Sequence, residues 1–515
     1  MTIRPAASLL PKMSAQFQLT IRKPAICKLT ICKLTIGKSA ALVFLLVAAV
    51  CCCAQSREPA NQTPDQGPSQ IGQSAPSANP EPQSSSEQPA PVPVLLDGTV
   101  TSLALSSELE RTNYWTGGIA AGATYDDNIL SSPSGSTGGA SFSLMPFIAI
   151  DQSRARMHAN LSYAAGFVAN QHLAPQTSYA HNLGAEFDYR LSPHVDLRMQ
   201  DHFSVTTNFY DQLALEPVTS GTGTLQQPNQ SVITPLARQI SNLADAEITY
   251  QFSPGDMVGA SATFYNLTFR DIPAGTTLDL LDTQTQKISA FYSHRLTTRN
   301  WAGVTYSYQH LSFDPAVQDA NTSSFLLFDT MYLTRKLTFS VFAGPEVSEV
   351  DSNVVTFPPG VVSDVPPIFA VTSPVSERRT LVAGGATLSW RDQRNSVQAG
   401  VSRQVNDGGG ILGVVELNTA DLAWRRRISQ FTTLSLAAVY GDNTALGALV
   451  GGPAQLQAAS ASVSLEHQLR HSLMVTLGYA RDYQRESGIV SPPADVDHNR
   501  GWITVSYSFT RPIGR

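Results

Sequence analysis

From Trp115 onward, apolar side chains recur at every second position. Leu183, Ala185, Phe187, Tyr189 and Leu191 make one row, and Asn182, Gly184, Glu186, Asp188 and Arg190 make the other. The same beat runs from Met157 to Phe167, against Arg156, His158 and Asn160. It runs again from Val195 to Phe209, against Asp196, Arg198, Gln200 and His202. Successive strand side chains point to opposite faces, so this period predicts strands with one oily and one polar face. Read this way the chain holds eighteen strands, or sixteen at the lower count: 115–127, 141–151, 155–167, 178–191, 194–209, 238–252, 257–269, 286–297, 300–313, 323–335, 337–349, 379–391, 396–405, 412–427, 430–441, 457–468, 472–485 and 500–509.

The connections alternate in length. Even-numbered strands meet the next at tight turns such as Ser192-Pro193, Ser253 to Asp256, Thr298-Arg299 and Ile428-Ser429. The other connections are mostly long (210–237, 350–378, 442–456, 486–499), with Asn406-Asp407-Gly408 the short exception. Tight turns on one rim, long loops on the other and an even strand count define a closed antiparallel transmembrane β-barrel, an all-β fold. Aromatics in the apolar rows mark both ends of the strands: Tyr189, Phe252, Trp390, Trp424 and Phe509 by the tight turns, and Phe167, Phe209, Tyr440 and Tyr483 by the long loops. That is the placement interfacial anchoring demands. Asp201 and Arg481 fall in the oily rows, which predicts a bulge at Asp201 or a wrong row for it, and a rim position for Arg481.

Composition changes the picture mainly at the N-terminus. Residues 1–54 carry seven of the 34 basic residues and all five cysteines but no acid, leaving 27 basic against 40 acidic residues in the remainder. A basic stretch, the apolar run Ala40 to Cys53 and small residues at its end read as a secretory signal spanning 1–54. Residues 55–114 read as a largely disordered Pro/Gln/Ser-rich linker, with a turn or two of helix at Leu103 to Glu110. The barrel occupies 115–515. Only 14% of residues are charged, too few for a coiled coil, and the acidic balance gives no footprint for nucleic acid.

The region 115–515 resembles the porin-type outer-membrane β-barrels of Gram-negative bacteria. The last strand, with Ile503, Val505, Tyr507 and Phe509 on one face, is similar to the signal read by the barrel-assembly machinery, though the tail Thr510 to Arg515 follows it. Tyr125-Asp126-Asp127-Asn128-Ile129 resembles the first strand of a porin group with members linked to exopolysaccharide export. The resemblance implies an outer-membrane location, contact with lipid and passage of small hydrophilic solutes. It leaves open whether copies associate.

Chemical motifs are few. Gly408-x-Gly410-x-x-Gly413 matches a dinucleotide fingerprint by letter, but that motif works only between a strand and a helix, and here it lies in a hairpin. His467 and His471 would stand about 13 Å apart on a strand, too far to share an ion. No catalytic motif is present, so no enzyme is expected. Asp126, Asp127, Asn128, Asp495, Asp497 and Asn499 meet where the first and last strands close the barrel, and could hold a structural calcium ion; otherwise no cofactor is expected. The polar rows supply pore-lining candidates: Arg156, His158, Asn160, Asn182, Glu186, Asp188, Arg190, Asp196, Arg198, Gln200 and His202. Loop 210–237 is the candidate constriction. Together these point to passive diffusion of small hydrophilic solutes, with exopolysaccharide export or a structural, adhesive barrel as alternatives.

Overall fold

The computed structural model describes residues 113–131, 137–171, 177–206, 232–233, 237–271, 280–314, 318–356, 371–447, 455–488 and 495–513. All belong to one of two compact units, Gln88–Arg515. The expected signal segment, the linker up to residue 112 with its helical turns, Phe209 and most of loop 210–237 lie outside the described residues, while Asn113 and Tyr114, expected in the linker, open the first strand.

The eighteen strands are β1 (Asn113–Asp126), β2 (Gly139–Arg154), β3 (Met157–Asn170), β4 (Thr177–Ser192), β5 (Val195–Thr206), β6 (Arg238–Ser253), β7 (Asp256–Arg270), β8 (Asp282–Thr297), β9 (Asn300–Asp314), β10 (Gln318–Thr334), β11 (Leu337–Thr356), β12 (Val371–Arg391), β13 (Asn395–Gly408), β14 (Leu412–Ser429), β15 (Thr432–Ala445), β16 (Gln455–Arg470), β17 (Leu473–Ser487) and β18 (Asp495–Pro512). Each pairs antiparallel with its neighbours in sequence, and β1 pairs with β18 from Tyr114↔Pro512 to Asp126↔Arg500, which closes the ring. Every strand is thus paired on both sides over at least part of its length and the ring has no edge strand, the condition for crossing hydrocarbon with strands. A crossing takes about 9–11 tilted residues. These strands have 12 to 21, so they project beyond the apolar band.

Alternation sorts the side chains. Phe142, Leu144, Ile148 and Ile150 of β2 stand exposed on the outside, while Met145, Phe147 and Asp151 face in. Leu161, Tyr163 and Phe167 of β3, Ile248, Tyr250 and Phe252 of β6, and Ile503, Val505 and Tyr507 of β18 continue the outer surface. On the inner face, five glycines sit directly opposite an aromatic residue: Gly118–Phe147, Gly259–Phe291, Gly303–Phe328, Gly385–Phe342 and Gly478–Trp502. In each pair the ring lies over the glycine, in the space a methyl group would take. Rings held flat on the wall take up less of the lumen than rings standing off it.

Two expectations need correction. Asp201 causes no bulge: the register runs unbroken through Ala185↔Asp201↔Ala244, so its carboxylate stays on the outer row between two alanines. Arg156 does not stand on an inward strand row: β3 starts at Met157, and Arg156 is exposed in the turn before it.

Candidate functional site: the lumen

The periplasmic half of the lumen is polar. His158 and Asn160 on β3, Asn182, Glu186 and Asp188 on β4, and Arg198, Gln200 and His202 on β5 all lie on the inward rows. Arg190 and Asp196 flank the β4–β5 turn and form an exposed rim pair at 3.4 Å. Above the rim the strands bring charges into register. Arg198 donates to Glu186 (2.8 Å) and stands 3.6 Å from Asp188, while Gln200 Nε2 donates to Glu186 at 3.1 Å. His158 lies 3.6 Å from both Asp151 and Asp188. These contacts join adjacent strands and leave the bore unbridged.

The sequence reading missed Asp151, Asp245 and Glu247, which share this wall. Arg198 faces Glu247 across the β5–β6 ladder, and Thr263 donates to Asp245 at 2.7 Å. The periods of β2 and β6 would have found them had every polar row been followed. Above the rim pair, the inner face of β2–β6 therefore carries Asp151, Glu186, Asp188, Asp245 and Glu247 against Arg198 and two histidines.

The extracellular half of the lumen is occupied by an element not expected there. The β13–β14 hairpin, with its tip at Gly408-Gly409-Gly410, bends into the lumen. Gly409 (φ 67°) and Gly410 (φ 83°) take left-handed backbone, and a Cβ on Gly410 would strike the Phe269 ring. Three hydrogen bonds hold the hairpin to distant strands. Val405 N donates to Glu346 Oε2 on β11 (3.0 Å), Val414 N to Gln318 Oε1 on β10 (3.0 Å), and Leu281 N beside β8 to Gly410 O (2.8 Å). Apolar burial seats it: Val405, Ile411, Leu412, Val414 and Val415 pack in two clusters with inward residues including Leu267, Phe269, Leu311, Phe313 and Val350.

The expected constriction, loop 210–237, has three residues described. Val232, Ile233 and Ala237 are buried, and Gln484 on the inner face of β17 grips Ile233 through both its N–H (2.6 Å) and its C=O (3.1 Å). Nearby inner-face charges are paired: Arg500 with Asp482 (3.0 Å) and His498 with Asp126 (3.2 Å).

At the β1–β18 seam the calcium candidates divide between faces. Asp126 points inward and also accepts from Asn128 N. Asp127 accepts from the N and Nδ2 of Asn499, and Asp497 takes a two-pronged contact from Arg481 (2.7 and 3.1 Å). Asp495 lies 3.7 Å from Arg485. Among the described residues no three acidic, His or Cys side chains form a group that could hold a metal ion. Arg481 thus settles its charge on the outer surface by pairing.

A closed antiparallel barrel with an apolar outside, aromatic ends and a charged inner wall is a transmembrane β-barrel of the outer-membrane kind. No protein-family model matches the chain, and no curated protein matches it. Among solved structures it is similar to the ferric-catecholate import receptor Fiu of E. coli K12 (9% identity, 76% of this chain and 81% of that one, TM-score 0.38). It is also similar to OpdK of Pseudomonas aeruginosa (10% identity, 77% and 99%, TM-score 0.37) and to OccK3 (OpdO) of the same organism (12% identity, 77% and 96%, TM-score 0.36).

Proposed function

We propose that the chain is an outer-membrane channel through which small hydrophilic solutes diffuse down their gradients, with a preference for cations. The observation that carries this reading is the charged inner wall of β2–β6 inside a closed ring of eighteen strands, a strand number that leaves room for an aqueous bore. Water and solute occupy the lumen while the outer rows keep the lipid side dry. The acidic excess lowers the cost of bringing a cation into the bore and raises it for an anion.

The test is single-channel recording with the purified, folded protein in planar bilayers. Stepwise openings are expected, with a reversal potential in a KCl gradient that marks potassium as the more permeant ion. A barrel whose folded state gives no openings would overturn the reading and favour a structural or adhesive role. The hairpin across the mouth is the specific observation on that second side. Mass measurement of the same preparation reads whether copies associate.

A further inference from the structure

β12 and β13 pair only from Gly384↔Arg403 to Arg391↔Ser396, although β12 begins at Val371 and β13 ends at Gly408. Where they part, a crevice of about 500 Å³ opens, lined among others by Val382, Gly384, Val401 and Arg403. Above it, the edge of β12 toward β13 has no strand partner among the described residues. An open edge is a row of unused donors and acceptors that asks for a strand.

We propose that the β13–β14 hairpin is a gate with two seats. In one it lies in the lumen, as here; in the other it zips onto the upper edge of β12, completes the wall and clears the mouth. The inference rests on the reading of the lumen as a conduit. Its support is the register. Continued past Gly384↔Arg403, the ladder sets Gln404 opposite Ala383, Val405 opposite Val382 and Asn406 opposite Leu381. The faces then match. Ala383 is an inward residue, and Gln404 would join it on that face. Val382 is 67% exposed on the outside, and Val405 would cover it. A slip of one residue would turn Gln404 to the outside, so the alternation selects this register.

The hydrogen bonds fit the same exchange. Val405 N–H now reaches the Glu346 carboxylate, away from β14, and on zipping it faces β12. Gln318 receives Val414 N and donates to Leu446 O, holding the hairpin near its tip through one side chain. The glycine tip keeps its turn in both seats.

Two cysteine pairs test the gate, since the natural cysteines all lie in residues 1–54. Val382→Cys with Val405→Cys bridges only after movement, because the two side chains now lie on opposite sides of the wall. Gln318→Cys with Gly413→Cys bridges the hairpin in place, as a Cβ on Gly413 would already meet the Gln318 side chain. The outer-membrane form of each variant is oxidised in vesicles, the bridge is read by mass spectrometry, and conductance is recorded before and after reduction. Both bridges are expected to form: the first holding the channel open, the second holding it shut, with reductant reversing each. Failure of the 382–405 bridge where the 318–413 bridge forms overturns the gate, as does unchanged conductance with both formed in a conducting barrel. If both bridges form and neither variant nor parent conducts, the hairpin moves as proposed and the channel reading is what fails. Glu346→Leu covers the case of a cysteine pair that does not fold: longer open times support the gate and unaltered ones refute it.

Discussion

Gly478 stands opposite Trp502 on the inner wall, and replacing it with alanine asks whether the glycine–aromatic pairs are a packing device. A Cβ built on Gly478 falls 2.1 Å from both Cε2 and Cζ2 of Trp502 and 2.7 Å from Cη2. Ordinary contact begins near 3.4 Å, so the indole must retreat by more than 1 Å. It does so against the Arg500 guanidinium, 5.9 Å from its ring centre. Overpacking of this kind costs about 1–3 kcal/mol. An ordinary strand position gives the opposite sign, because glycine there is worse than alanine by roughly 0.5–1 kcal/mol. Reversible urea unfolding from lipid vesicles should therefore show Gly478→Ala less stable than the parent by about 1–2 kcal/mol. In a Trp502→Ala background the same change should become neutral or stabilising, a coupling of roughly 2 kcal/mol. Equal or greater stability in the single variant, or strict additivity in the cycle, would refute the argument.

The other predictions concern charge. Asp245→Asn combined with Glu247→Gln should reduce the potassium-over-chloride permeability ratio roughly twofold, measured as reversal potential in a KCl gradient. An unchanged ratio would place the conducting path elsewhere. Asp201→Ala removes a carboxylate from the lipid-facing row and should stabilise the barrel by roughly 1 kcal/mol in vesicle unfolding; destabilisation would mean the group has a partner in the membrane. In the β12–β13 turn, a hydrogen bond from the Lys336 ammonium holds the Asp392 carboxyl below its ordinary value. A depressed folded-state pKa stabilises above the unfolded pKa and loses that effect as pH falls through the folded one. The gap in urea midpoint between parent and Asp392→Asn should be constant near neutrality and close as pH falls below about 4. A gap that persists in acid would show that the carboxylate's charge is not its source.

Strand positions were legible because membrane and lumen impose opposite chemistry on alternate residues. All eighteen expected strands exist, and ten of the eleven pore-lining candidates fall on inward rows or at the rim. Arg156 was misplaced because a tight turn carries no alternation of its own, so a polar residue beside a strand reads as its first inward position. Asp201 was read as a register fault because period alone prices a lipid-facing carboxylate as an error. The ladder through Ala185 and Ala244 shows a regular strand that tolerates it. The seam residues are close in space as ring closure requires, yet Asp126 and Asp127, consecutive on one strand end, reach opposite faces.

The hairpin was the harder case, and its signal lies in a departure from the pattern. Ile411, Leu412, Val414, Val415 and Leu417 are apolar on both faces of the strand. In a barrel wall between lipid and water only one face can be oily, and a strand with two oily faces must be covered on both. The strand lengths agree, since β12 has 21 residues and β13 only 14, and β12 outruns its ladder with β13 from Val371 to Ala383. A short connection among long loops therefore marks where the wall leaves the cylinder: a hairpin turned inward needs no loop above the membrane. Loss of alternation over five or more residues, next to an unmatched strand length and a glycine-rich tip, locates an inserted hairpin from sequence by the same physics that locates the wall.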